Sequence, residues 1–453
     1  MAYGLTAKRK IAITGLAQSG KTSFLTSLLW QLHEFENALF HLENNVRITQ
    51  FREVRAASTF PFDRFRSLMS SENGNWPTKT TDTHRYICTF KRSDRSRARQ
   101  VEFVDFPGER IADAGIALYD DYATWSRYMF SQFAADSSHR GAAHAFEQEL
   151  GNILAASTNR SQNGVENFDP RLQQIAHSYK LLLARYARDC RILVSPSIFM
   201  LDRHGGEADG ENPEALAEQR LCGLDASSQF APLPTSMLNE NSGLAQAMQT
   251  HYKRYRKEFV MPTFGNVTDA QGVIVTVDIT SLLAGGVDRY NDNCAVLLAL
   301  FESMQRHSSI HRVLNIFRKL RLWSSAVQRV AFVATKSDLV REDDLKKDRL
   351  KSLLRSMTRR VKDLLPSVEI RWFDCSACIS TIQMGESRLR AVVDYDRERP
   401  WVEFPVSALP DEWPDEWGPD CYRFRRVAAR SPRNIQKPPR HRNLDAVFDF
   451  VAM

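Results

Sequence analysis

IAITGLAQSGKTSFLTSLL, residues 11–29, is the stretch on which the reading of the fold turns. Ile11, Ala12 and Ile13 make a short apolar run that reads as a strand. GLAQSGKT, residues 15–22, fits the pattern G-x-x-x-x-G-K-[ST]. Phe24, Leu25, Leu28, Leu29 and Leu32 then recur at helical spacing. Strand, glycine-bounded turn and helix, in that order, are what a phosphate cradle needs. Gly15 and Gly20 permit backbone angles that side chains oppose. The turn's amides can then face an anion, reinforced by the helix N-terminus. Lys21 is expected to reach the outer phosphates and the Thr22 hydroxyl to ligate Mg²⁺.

Three further turns keep the cradle company. The strand at 100–105, QVEFVD, runs into DFPG at 105–108. An acidic residue closing a hydrophobic strand opposite a phosphate turn suits a Mg²⁺-coordinating carboxylate, here Asp105, and Gly108 can offer its amide to a γ-phosphate. The strand at 329–335 ends in TKSD, residues 335–338, and the strand at 368–374 ends in CSAC, residues 375–378. Guanine presents two neighbouring N–H donors on one edge, and the Asp338 carboxylate is an acceptor-only fork that can take both. Adenine lacks that pair. The Lys336 stem can lie along the purine face, and amides near Ser376 and Ala377 would meet the guanine carbonyl. All four turns follow strands, so in an open α/β sheet they gather at one edge.

The chain has 453 residues, is 43% hydrophobic and 25% charged, and carries a net charge of +7. That length calls for two or three domains, and the charge does not by itself argue for nucleic acid or lipid. Seven scattered cysteines suit a reducing compartment. The N-terminus runs almost directly into the first strand, and no apolar stretch reaches membrane-spanning length. A cytoplasmic protein is expected, at most peripheral to the inner face of a membrane.

Residues 1–109 read as the first part of the α/β domain and 266–379 as its second part. Residues 35–75 read as a long loop with short helical pieces, and 84–90 with 100–105 as an antiparallel hairpin. Residues 110–265 contain helical segments beginning near Asp120, Arg171 and Leu244, and read as a helical insertion domain. Its aromatic residues Tyr119, Tyr122, Trp125, Tyr128 and Phe130 suit buried core better than a partner surface. The run 272–280, GVIVTVDIT, suits a strand buried on both faces, with a helix following at 291–307. Residues 344–365 read as one amphipathic helix, and 380–453 as a C-terminal extension that packs on the body through a closing apolar helix.

Taken together the motifs resemble the translation-factor-related class of P-loop GTPases. ITGLAQSGKT, NWPTKT, VDFPGER followed by DDYATWSRYMF, VATKSDL and RNLDAVFDFV resemble, more narrowly, the YcjX-like family of stress-linked bacterial P-loop proteins. The resemblance implies a mostly parallel sheet with helices on both faces, and a nucleotide-dependent regulator using GTP/GDP and Mg²⁺. By position it implies that Gly15, Ala17, Gln18, Ser19, Gly20, Lys21, Thr22 and Ser23 hold the phosphates, with Asp105 on the metal through water. A threonine of PTKTTDT should close over metal and γ-phosphate; Thr80 is the choice, with Thr78 and Thr81 as fallbacks. Thr335, Lys336, Asp338, Ser376 and Ala377 would hold the base, although Thr335 stands where Asn is commoner. Lys21 and Glu109 are the catalytic candidates, Glu109 occupying the usual place of a water-orienting Gln, where it could orient water or repel the phosphate. No arginine finger can be assigned, so hydrolysis is expected to be slow.

Cys375-x-x-Cys378 has no second pair, and a metal role for it is disfavoured. Nucleic acid is disfavoured because the basic runs are not interleaved with aromatics. A GTP-hydrolysing switch is thus the first expectation, with an unknown protein partner engaged through the insertion or the switches. An ATP-dependent enzyme and a non-hydrolysing, nucleotide-stabilised scaffold are the alternatives.

Overall fold

The computed structural model describes residues 8–15, 18–36, 40–71, 74–78, 83–135, 140–155, 170–188, 195–197, 228–239, 243–310, 327–393, 401–419, 421–430, 432 and 434–453. The chain divides into two compact units: Met1–Gly108, Asn266–Tyr290 and Ser308–Met453 form one, Glu109–Gly265 and Asn291–His307 the other. The C-terminal extension therefore belongs to the first unit, and Asn291–His307 groups with the helical second unit.

The first unit is built on a seven-stranded sheet: β1 Lys8–Gly15, β2 Ile48–Glu53, β3 His84–Arg92, β4 Arg99–Asp105, β5 Gly272–Val277, β6 Arg329–Ala334 and β7 Glu369–Asp374. Its order is β2-β3-β4-β1-β5-β6-β7. β4, β1, β5, β6 and β7 run parallel, while β2 and β4 flank β3 antiparallel. β5 is buried at every residue, as a central parallel strand with helices on both sides must be.

Alternation along the strands divides two apolar faces. Ile11, Ile13, Val101, Phe103, Ile274 and Val333 join one core, closed by the helix Lys21–His33 and the closing helix Leu444–Ala452. On the other face Phe332 stacks on Trp372, whose Nε1 donates to Thr358 Oγ1 at 2.8 Å, with Arg355 over the same indole. Leu350, Leu353, Leu354, Met357 and Val361 are buried, as their spacing predicts. They do not lie on one helix, however. The stretch breaks into Glu342–Lys346, Arg349–Met357 and Arg359–Leu364, with Asp348 left-handed at φ 55° and Thr358 outside helical angles.

Two other expectations change. The stretch read as a loop at 35–75 holds the edge strand β2 as well as the helix Phe62–Ser70. β2 buries Ile48 alone, so its pattern lacks the alternation that identifies a strand. The helix expected at 291–307 is part of a longer element, Ile279–Ile310, with a break at Gly286 (φ 85°). The extension adds a small antiparallel sheet, β8 Ile382–Gln383, β9 Arg388–Val392 and β10 Trp401–Pro405. Its tryptophans anchor it: Trp413 Nε1 donates to Leu353 O at 2.8 Å and Trp417 Nε1 to Leu283 O at 3.0 Å.

The second unit is helical, with Tyr122–Ala135, Arg140–Ala155, Pro170–Arg188 and Gly243–Tyr255 as its longer helices within 109–265. Tyr122 and Trp125 are buried core residues; Tyr119, Tyr128 and Phe130 are half-buried. Trp125 packs on Tyr252 and Phe230 at ring-centroid distances of 5.2 and 5.4 Å. A buried carboxylate organises the polar part: Asp113 accepts from Ser195 Oγ (2.9 Å), Ser197 N (2.8 Å), Ser197 Oγ (2.6 Å) and the Tyr255 hydroxyl (2.7 Å). No helix among the described residues is long and apolar enough to cross a membrane.

Candidate functional site: the carboxyl edge of the sheet

The parallel strands β4, β1, β5, β6 and β7 all end at one edge, and each quoted turn begins there. Register places Ile13 beside Asp105, Gly15 beside Thr276, Val277 beside Ala334, and Ala334 beside Asp374. The turns after β1, β4, β6 and β7 thus gather within one unit.

The first turn is shaped by its glycines. Gly15 has φ 144°, and a Cβ there would lie 2.3 Å from the Thr276 carbonyl oxygen. β1 can therefore reach the edge beside β5 only with glycine at its end. Gly20, left-handed at φ 84°, caps the helix Lys21–His33 without a side chain of its own. Lys21 is buried, and its ammonium donates to Gly15 O at 3.1 Å, across the mouth of the turn. Thr22 and Ser23 are half-buried at the helix start, and Gln18 is exposed at φ 62°. Ala17 lies outside the described residues.

The first and third turns are bonded to one another. The Ser19 hydroxyl pairs with Thr276 Oγ1 at 2.7 Å, and Thr335 Oγ1 donates to Ser19 O at 2.8 Å. Lys336, left-handed at φ 57°, donates from Nζ to Gln18 O at 3.3 Å. Thr335 can make this bond because a hydroxyl, like a carboxamide, carries a donor that reaches a carbonyl.

The third and fourth turns meet at Asp338. Its Oδ1 accepts from Ser376 Oγ at 2.7 Å and its Oδ2 from the Ser380 amide at 2.9 Å. Burial raises the carboxyl above its ordinary range, against the lowering effect of those two donors. A carboxylate offers about four lone-pair sites, so these bonds leave part of its capacity for further donors. The Ser376 amide is engaged by Arg442 O at 3.2 Å, so Ser376 serves this corner through its hydroxyl; Ala377 beside it is half-buried. Arg442 also donates to Asp374 at 2.8 Å, which makes the extension part of this turn's support.

Asp105 is fully buried at the end of β4, and Gly108 ends the first segment of the first unit. Thr78 is exposed; Thr80, Thr81 and the Glu109 side chain lie outside the described residues. One side chain at this edge escaped the sequence reading. Asp278, directly after β5, pairs with Lys336 Nζ at 2.5 Å. In sequence it is one carboxylate before a helix, which looks like an ordinary cap. Nothing local foretells a partner 58 positions away.

This sheet order, with a glycine-lysine turn after its central strand and the other motif turns at the same edge, defines an α/β fold of the P-loop GTPase type. The chain matches the YcjX-like family (DUF463) over residues 9–452 and belongs to it. It is similar to the Ras-like GTPase YcjX of Escherichia coli (strain K12), at 25% identity over 99% of this chain and 96% of that protein. It is also similar to the Ras-like GTPase YcjX of Shewanella oneidensis, at 23% identity over 74% of this chain and 69% of the relative.

Proposed function

We propose that the chain is a guanine-nucleotide switch that hydrolyses GTP slowly to GDP and works as a stress-related regulator in the cytoplasm or against the inner face of the membrane. The observation that supports it most is the bonding between turns: Thr335 to Ser19 O and Lys336 to Gln18 O join a base-reading turn to a phosphate-binding one. The names of the relatives, Ras-like GTPases, agree with this reading. Asp338 would accept the two guanine N–H donors, with Lys336 along the purine face and the Ala377 amide toward its carbonyl. Gly15 to Ser23 would hold the phosphates, Lys21 neutralising the outer ones.

The donor set fits Mg²⁺. Thr22 offers a hydroxyl and Asp105 a carboxylate, the hard oxygen ligands this ion selects. Bound there with a threonine of the 77–83 segment, Mg²⁺ would offset negative charge on the phosphates. The Gly108 amide would sense the γ-phosphate, and Glu109 is the candidate for orienting water.

Isothermal titration tests this reading. GDP is expected to bind far more tightly than ADP, and Asp338→Asn to shift preference toward xanthine nucleotide. Equal GDP and ADP affinities would reject guanine specificity. The bonds Asp338 already makes inside the protein favour the alternative in which it is structural and the chain an ATPase; Asp338→Asn would then leave base preference unchanged.

A further inference from the structure

Asp278 is almost wholly enclosed and holds three donors. Oδ1 accepts from the Thr280 hydroxyl at 2.6 Å and the Ser281 amide at 3.0 Å, at the start of the helix Ile279–Ile310. Oδ2 accepts from the Lys336 ammonium at 2.5 Å. That ammonium also donates to Gln18 O, so it is held at two points, one at the end of β5 and one on the phosphate turn. The Lys336 side chain is 39% exposed, while the Asp278 side chain is 7% exposed. The lysine's tip is therefore anchored on a buried carboxylate while part of its length faces outward. Burial by itself would raise the Asp278 carboxyl; the Lys336 charge and the surrounding donors outweigh it and hold it below its ordinary range.

A lysine stem is a poor shelf unless it is fixed, because its rotamer freedom must be surrendered when a ring settles on it. We infer that Asp278 is a positioning residue for the nucleotide base: it pins the Lys336 ammonium so that the stem is preset as a platform for the purine and tied to the phosphate turn. This rests on the reading that the edge holds a purine nucleotide. It assigns to Asp278 no contact with the ligand.

The test is fluorescent GDP binding by the full chain as wild type, Asp278→Asn, Lys336→Ala and the double variant. Asn and Ser both retain an acceptor at the helix start, so Asp278→Asn and, as a second variant, Asp278→Ser keep the cap and lose the charge. Thermal melts check that each is folded. Either variant is expected to bind GDP about tenfold more weakly, the size of one charge-assisted contact. Inosine diphosphate should weaken by the same factor, and inorganic pyrophosphate, which has no base, should bind as before. In the Lys336→Ala background the Asp278 substitution should add nothing, which a purely structural role would not produce. Unchanged GDP affinity in Asp278→Asn, or a loss repeated in full without Lys336, overturns the assignment. A wild type that binds ADP as well as GDP rejects guanine specificity alone, and the same cycle then reads Asp278 with ADP. A wild type that binds no nucleotide rejects both.

Discussion

Gly15 has no room for a side chain, and its backbone angle disfavours one. An alanine Cβ would lie 2.3 Å from both the carbonyl oxygen and Oγ1 of Thr276, at φ 144°. The backbone atom cannot swing away, so β1 or β5 must move. Gly15→Ala is expected to destabilise the first unit by about 2–4 kcal/mol, the sum of strained angles and overpacking. Urea unfolding measures it, and a midpoint equal to wild type would show that β1 and β5 can part here without cost. At Asp338 the chemistry is readable through pH. Its folded carboxyl is raised by burial. A raised carboxyl takes up its proton at higher pH than in the unfolded chain, so protonation favours the folded state as pH falls. Under the proposed function ligand binding has the opposite sign, because only the ionised fork accepts two N–H donors. GDP affinity should therefore fall on acidification from neutrality before an ordinary carboxylate would titrate, while pyrophosphate affinity changes less. Titration calorimetry across that range checks it; parallel losses for both ligands would contradict it. Residues of this kind were legible in proportion to their locality. Gly15 and Asp105 end strands, Lys21 opens the helix after the glycine turn, and Asp338 lies in the turn after β6, each inside a motif that one short window contains. Asp278 acquires its partner only when β5 and β6 lie side by side, which no window of sequence contains.

Among the elements, the closing helix Leu444–Ala452 carries an unusual share of the core. Phe448 is fully buried and meets the rings of Phe40, Phe90 and Phe103 at 5.5, 5.2 and 6.4 Å. Phe448→Ala is expected to cost about 3–5 kcal/mol, the range for a buried aromatic whose cavity cannot collapse. A chemical denaturation curve would show it as a lower midpoint. In the second unit, Asp113→Ala removes the acceptor that Ser195, Ser197 and Tyr255 share. Losing a buried acceptor costs about 1–3 kcal/mol for each donor it leaves unsatisfied, so this unit should melt at a lower temperature, measured by calorimetry; an unaltered melt would mean that water replaces the carboxylate. The apolar period identified the closing helix and the buried faces correctly. It did not identify the breaks at Asp348 and Thr358, because leucines at 345, 350, 353 and 354 continue one apolar side across a left-handed residue that no glycine or proline announces. β2 and the small sheet β8–β10 were missed for the complementary reason. β2 and β10 bury one residue each and β8 none, so side-chain alternation is weak there; β9 does alternate, with Leu389 and Ala391 buried, but over only five residues.

At the scale of the whole molecule, the chain first crosses between units at Gly108 and Glu109, inside the turn that would sense a γ-phosphate. Scanning calorimetry should resolve two transitions. GDP at a hundred times its Kd should raise the first unit's stability by about 2.7 kcal/mol and leave the second unit's transition in place. A single transition that shifts as a whole would mean that the two unfold together.

The Leu444–Ala452 helix also imposes an order of events on biosynthesis. Residues from the cradle's helix are translated some four hundred positions before the phenylalanine that seals their shared interior. Until the ribosome has passed that point, this side of the central sheet is covered only in part, by the helix Lys21–His33, and the rest remains sticky. A nascent chain in this condition is a natural client for a chaperone, and its ability to hold a ligand would arrive late in synthesis.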